Sequence, residues 1–402
     1  MKYNFDEVVN RIGTASYKWD GVKLIFQDSD VLPMWVADMD FKIAKPITDA
    51  IRKRAEHEIY GYTVVPDSLV EATIDRLKRK YNWDVKPEWL VFTPGVVPAL
   101  YTAVKTFASP GDSVLVQEPV YYPFFHAIRD NGAHVVSSDL KLVNGHYEID
   151  FEDLEKKFLP KPGLTPTPAR VRAMIMSNPH NPVGRVFNRK ELEKIGEIVL
   201  RHGAVMISDE IHCEIVYKEH KHIPFATISK EFQENSITCM SASKTFNLAG
   251  LETSVIIIPN ERIRARFIEA KGRILSTPNA FGLVAMEAAF RYGDEWLSQL
   301  LEYLEENINF LMDFVKKRIP NVKVIRPEGT YLAWLDFREL GLDEHELSEF
   351  LRKKAKVGLD DGYIFGESGK GFARLNFATP RVILEEGLRR IEKAVKEITG
   401  VF

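Results

Sequence analysis

Cysteine is almost missing from this chain of 402 residues: Cys213 and Cys239 are the only two. So sparse a set argues against a disulfide framework and fits work in the reducing cytoplasm. A surplus of positive charge is missing too. The 54 Lys and Arg face 57 Asp and Glu, a formal net charge of −3, which leaves no electrostatic footprint for nucleic acid. Long apolar runs are also lacking. The most apolar window, Leu90 to Ala108, carries Pro94, Pro98 and Lys105, so no membrane span is expected. The opening stretch MKYNFDEVVNRIG alternates charged and apolar residues instead of presenting the apolar core of a secretion signal. There is no internal repeat and no low-complexity segment. These gaps leave a soluble, cytoplasmic protein that engages neither nucleic acid nor membrane.

What is present is ordinary globular material, 45% hydrophobic and 28% charged. Its length exceeds the roughly 250–300 residues at which a single core stops growing, so two domains are expected. Residues 1–45 read as an extended N-terminal segment that joins the smaller domain, 46–290 as the large domain, and 291–402 as a small α+β domain. In the middle, short apolar runs such as SVLVQ (113–117), HVVSSDL (134–140), VRAMIMS (171–177), AVMISD (204–209), SITCMS (236–241) and TSVIII (253–258) alternate with helical spacing. That order predicts an α/β fold with a mainly parallel, helix-covered sheet. LPKPGLTPTPARV (159–171), with four prolines, reads as a surface loop. A long amphipathic helical region spans about Asn279 to Arg318. After it come VKVIRP, YLAWLDF and FARLNFA as strands, with helices near His345–Lys356 and from Pro380.

The chemistry concentrates where these strands end. In SASKTFNLAGLE, Lys244 is pressed between small hydroxyl residues after an apolar strand. A lysine there either snorkels to solvent or loses hydration, and the second fate lowers its pKa. NPHNPVG follows the strand ending at Ser177, DEIH starts at Asp209, and TPGVVPAL ends a strand with a glycine turn that opens a helix. Taken singly, these are an Asx-turn loop, a helix cap and a plain helix start. Ligands of parallel α/β sheets gather at the carboxyl ends of the strands, and four such motifs meet at one edge. Together they suit an aromatic aldehyde carrying a phosphate. A lysine holds it as a Schiff base, and a carboxylate pairs with its ring nitrogen. Helix-start amides bind the phosphate, and the aromatic face of Tyr121 in EPVYYPFF stacks on the ring. That ligand is pyridoxal 5'-phosphate. No metal is called for.

PGVVPAL, PVYYPFF, NPHNPVGRV, SDEIH, SASKTFNLAGL and GFARLNFATP, in this order over nearly the whole chain, resemble fold-type I pyridoxal-phosphate enzymes, the aspartate aminotransferase superfamily. MWVADMDF, GYT and DGYIFGESGKGFARLN resemble its cystathionine β-lyase and cysteine-S-conjugate lyase branch, which includes the cystalysins.

The resemblance implies a role for each matching residue. Lys244 carries the cofactor and moves protons at the substrate α-carbon. Asp209 pairs with the ring nitrogen, Asn181 lies at the 3-oxygen with Asn178 behind it, and Tyr121 stacks on the ring beside Tyr122. The amides of Val96 and Val97 and the hydroxyls of Ser241 and Ser243 hold the phosphate. Tyr62 reaches the phosphate of a partner subunit's cofactor, which implies a homodimer with shared active sites. Arg374 grips the carboxylate of a small amino-acid substrate by a bidentate pair, helped by Asn181, Tyr122 and the Ala37 backbone. There are two departures. Glu252 stands where many relatives place an arginine on the phosphate, so its carboxylate is expected to face elsewhere. His212 replaces a tyrosine that many relatives place on the 3-oxygen; the lyase branch is similar here, and His212 is either a cofactor contact or a hydrogen-bonded supporting histidine.

The implied reaction is β-elimination from cystathionine or another cysteine S-conjugate, giving pyruvate, ammonia and a thiol. An aminotransferase is the alternative, because the same lysine serves both chemistries. A regulatory binding protein without turnover is a third reading, and it would require the loss of Lys244 or Arg374.

Overall fold

The protein is described by a computed structural model covering residues 1–159, 170–272 and 275–400. Seven strands form its main sheet: β1 (Leu90–Thr93), β2 (Ser113–Val116), β3 (His134–Ser137), β4 (Val171–Ser177), β5 (Val205–Asp209), β6 (Ser236–Met240) and β7 (Ser254–Ile257). Their spatial order is β1-β7-β6-β5-β4-β2-β3. The run β3-β2-β4-β5-β6 is parallel throughout. Strand β7 is antiparallel to both neighbours, so its amino end lies where the other strands end. Central strands covered on both faces need unbroken apolar runs. Met174, Ile175, Met206, Ile207 and Ile237 are fully buried.

Two details depart from the sequence reading. The run through Leu140 stops as a strand at Ser137, and a separate hairpin pairs Lys141–Val143 with His146–Glu148. Its turn is Asn144-Gly145, both at positive φ, the dipeptide that tight hairpins favour. The helical region after Asn279 divides into Ala280–Tyr292 and Asp294–Arg318. They meet at Gly293, where a Cβ would stand 2.3 Å from the Phe246 ring and 2.6 Å from the Ala289 carbonyl oxygen. Most of the proline-rich stretch 159–171 lies outside the described residues.

A second sheet of four antiparallel strands follows: β8 (Lys323–Ile325), β9 (Leu332–Asp336), β10 (Asp360–Asp361) and β11 (Phe372–Asn376), in the order β8-β9-β11-β10. The N-terminal residues run beside it. Leu32–Pro33 pairs in parallel with Val357–Gly358, Asn376 N donates to Met34 O at 2.9 Å, and Asp40 N donates to Ala378 O at 3.0 Å. Among the described residues no helix is long and apolar enough to cross a membrane.

Candidate active site

The ends of β1, β4, β5 and β6 and the beginning of β7 surround a cavity of about 250 Å³. At one side the chain leaves β1 through Gly95, at φ 108°, and enters the helix Val96–Phe107. No side chain caps this helix, and Gly95, Val96 and Val97 line the cavity. Free amides at a helix N-terminus favour an anion. Ser243 lines the cavity beside them.

Ser241 does not line it. Its hydroxyl accepts from Ser243 N at 2.9 Å and donates to Thr253 O at 2.7 Å. In this arrangement Ser241 caps the short helix Ala242–Thr245, with its hydroxyl turned to a backbone carbonyl.

Glu252, expected to face elsewhere, does line the cavity. The cause is topological: β7 runs against its neighbours, so the residues preceding it arrive at the ligand edge. Its backbone is left-handed, at φ 43°.

Opposite the helix start, Asp209 is buried at the end of β5. One carboxylate oxygen accepts from Ile211 N at 3.1 Å. Burial pushes its pKa up to about 7, against the pull of that amide and of Lys244. A buried acid so placed wants a cationic N–H partner.

Lys244 lies between these ends and donates through Nζ to Ala37 O at 2.8 Å. Burial lowers its pKa to about 8; Asp38 and Asp209 pull the other way, and Arg374 adds to the lowering. The sequence offered snorkelling or desolvation; the half-buried side chain ends on Ala37 O at the cavity wall and not in open solvent.

Tyr121 forms part of the wall, its ring 5.3 Å from that of Tyr122 between centroids. Tyr122 is half-buried and is not among the lining residues. His212 is buried and lines the cavity. Its Nδ1 has no partner, and burial holds its pKa well below the usual histidine range, so it stands as a neutral ring packed edge-on to Tyr331.

The remaining residues come from far along the chain. Asn181 takes Arg374 Nη1 at 2.9 Å on its Oδ1. Arg374 Nη2 donates to Trp35 O at 3.2 Å and pairs with Asp360. Of the five guanidinium N–H groups, Nε and one hydrogen of Nη1 remain, and Nε is buried without a partner. The fork expected to be free for a substrate carboxylate is therefore already partly engaged. Asn178 sits behind the site, accepting from Phe187 N at 3.0 Å, with Nδ2 unpartnered.

Tyr62 does not line this cavity. It is fully exposed, as are its neighbours Ile59, Tyr60 and Val64 in large part.

Four contributors were not named from the sequence: Trp35 O, Tyr331, Asp360 and the Ile211 amide. Asp360 carried one usable signal, a carboxylate next to the apolar run VGL. Its pairing with Arg374 depends on the β10–β11 register, which only the folded sheet supplies.

The donor set fits pyridoxal phosphate. An uncapped helix start suits the phosphate, a buried carboxyl suits the ring nitrogen, an aromatic wall suits the ring, and a desolvated amine lies between them.

The chain is similar to known proteins over nearly its whole length. Residues 30–391 match the family aminotransferase class I and II. Cystathionine beta-lyase PatB of Bacillus subtilis (strain 168) is 44% identical, over 98% of this chain and 100% of its own length. Among solved structures, a PLP-bound protein of Clostridium difficile 630 that bears an aminotransferase name superposes with a TM-score of 0.94 at 45% identity, covering 98% of this chain and 100% of that one. Cystalysin from Treponema denticola, which contains pyridoxal 5'-phosphate, superposes at 0.93 with 36% identity, covering 99% and 100%.

Proposed function

The chain belongs to the aminotransferase class I and II family, in the cystalysin-like branch of fold-type I pyridoxal-phosphate enzymes, and on that premise we propose that it is a carbon–sulfur β-lyase. It cleaves cystathionine or related cysteine S-conjugates to pyruvate, ammonia and a thiol. One observation carries this reading: the full-length 44% identity to a cystathionine beta-lyase.

When bound, pyridoxal phosphate supplies an electron-withdrawing ring that makes the substrate α-proton acidic. The chain's residues do the rest. The amides of Val96 and Val97 and the hydroxyls of Ser241 and Ser243 would receive the phosphate. Asp209 would hold the proton at the ring nitrogen, and Tyr121 would pack on the ring face and shield it from water. Asn181 serves the 3-oxygen, with His212 as a neutral neighbour.

Arg374 binds the substrate α-carboxylate through the N–H groups that Asp360, Trp35 and Asn181 leave over. The Ala37 amide assists, and Tyr122 borders the substrate. Lys244, with a pKa lowered to about 8, takes the α-proton, and the thiol then leaves from the β-carbon.

The working unit is a homodimer. The exposed apolar stretch around Tyr62 is the support for this: a second copy covers it and brings the tyrosine to its partner's phosphate. The setting is cytoplasmic, in keeping with two buried, unpaired cysteines.

Transamination is the second reading, favoured by the name of the Clostridium difficile neighbour. Incubation with cystathionine, with and without a 2-oxo acid, decides between them. Thiol and pyruvate released without the oxo acid select the lyase; amino-group transfer that requires it selects the aminotransferase.

A further inference from the structure

The backbone of residues 35–41 is held by five side chains from elsewhere in the chain. Arg374 donates to Trp35 O at 3.2 Å, and Asn376 Nδ2 donates to both Val36 O and Asp38 O at 2.6 Å. Asn247 accepts from Met39 N at 2.9 Å and donates to Met39 O and Phe41 O, each at 3.0 Å. At the centre, Ala37 O accepts both Lys244 Nζ and the Tyr331 hydroxyl, each at 2.8 Å.

The next residue, Asp38, is fixed from the N-terminal side. Arg11 forks onto it, Nη1 to Oδ1 at 2.9 Å and Nη2 to Oδ2 at 2.7 Å, and Lys18 Nζ lies 3.9 Å away. Lys18 is fully buried and pairs with Asp40 at 2.6 Å; Asp40 also takes Trp19 Nε1 at 2.8 Å and Arg11 Nη1 at 2.7 Å. A lysine and an aspartate removed from water together are costly unless closely paired. Such a brace is more than a loop needs merely to stay attached.

We propose that Asp38 is a positioning residue for Lys244: the braced loop presents the Ala37 carbonyl to the free lysine amine, and the Asp38 carboxylate, one residue further along and fixed by Arg11, sets the charge that the amine meets. The proposal rests on the reading of Lys244 as the reacting amine, which must hold the α-proton between its removal and its return to solvent or substrate.

Other groups face Lys244 as well. Asp209 also favours its protonation and Arg374 opposes it, while His212, Tyr121 and Tyr331 stand near with shifted pKa values of their own. Asp38 is the strongest of the opposing charges that raise the lysine's pKa against its burial. Its own charge is paired with Arg11, so the two should act on the amine with opposite sign.

The experiment uses cofactor-free full-length protein and acetic anhydride, with peptide mass spectrometry reading the labelling of Lys244 against pH. Asp38→Asn should lower the labelling midpoint, so that Lys244 reacts about three- to tenfold faster at pH 7, and Asp38→Glu should restore it. Arg11→Gln should move the midpoint upward. An unchanged midpoint in Asp38→Asn overturns the proposal. So does a shift of both variants in one direction, which marks a purely mechanical brace. If circular dichroism shows that Asp38→Asn does not fold, Arg11→Gln decides alone, and a midpoint that fails to rise overturns the proposal. Labelling needs neither substrate nor turnover, so its outcome is separate from that of the thiol-release assay.

Discussion

The two ends of the cavity are built in different ways. The end proposed for the phosphate and ring is assembled from residues that directly follow strands: Gly95 to Val97 after β1, Asp209 closing β5, and Ser243 and Lys244 after β6. The end proposed for the substrate carboxylate is assembled largely from groups distant in sequence, Arg374 meeting Asn181 and Trp35 O across 193 and 339 residues, besides Asp360 14 residues away. A strand end fixes its ligand groups through the sheet itself. A long-range junction fixes them only if every partner is in place, so it should be more easily loosened and more readily tuned.

Lys244→Ala offers the hardest test, because Lys244 stands between the two ends. Activity should fall by at least about 10³-fold, and borohydride should no longer fix cofactor at this position in the chain. Retained turnover would remove the centre of the assignment.

Asp209→Asn should cost about 10²–10³-fold in kcat and yet stabilise the cofactor-free protein. Folded Asp209 keeps its proton to about pH 7, against an ordinary value of 3.8. Between these pH values the folded state binds the extra proton, so ionising Asp209 as pH rises lowers stability. The melting temperature of Asp209→Asn should therefore exceed that of the wild type above pH 7, with the gap closing toward pH 4. An equal gap at both ends would show that charge is not the cause.

At the other end, Arg374→Ala should lower kcat/KM by about 10- to 150-fold, the range of charge-assisted hydrogen bonds. The loss should appear mainly in KM, with cofactor absorbance preserved. Cofactor loss in this variant would erase the distinction between the two ends.

Tyr62→Phe should weaken cofactor retention by about tenfold. Mixing it with Lys244→Ala chains should restore part of the activity, since one site of each mixed dimer then carries neither defect. Mixed dimers that stay inactive would place the tyrosine's work within its own subunit. The smallest effect belongs to Glu252→Gln. Removing an exposed carboxylate from the proposed phosphate end should tighten retention a few-fold, read by fluorescence titration at low salt.

The same contrast explains what was legible in advance. Strand runs, the glycine turn and the lysine between hydroxyls are local patterns, and the structure gathers Val96, Val97, Tyr121, Asn181, Asp209, Ser243 and Lys244 around one cavity as they suggested. The Asn144-Gly145 turn is an equally local signal. Glu252 departs from its expectation for a different reason: it enters the site because β7 runs antiparallel.

Periodicity, turn residues and residue chemistry determined the α/β class, the strand ends and the kind of ligand, because each acts within a few residues of chain. The tertiary structure decided the depth at which Lys244 loses water, the partners that occupy Arg374, and the loop that brings Asp38 to the amine. Desolvation and charge pairing depend on what the rest of the molecule places within a few ångströms, and no local stretch of sequence specifies that.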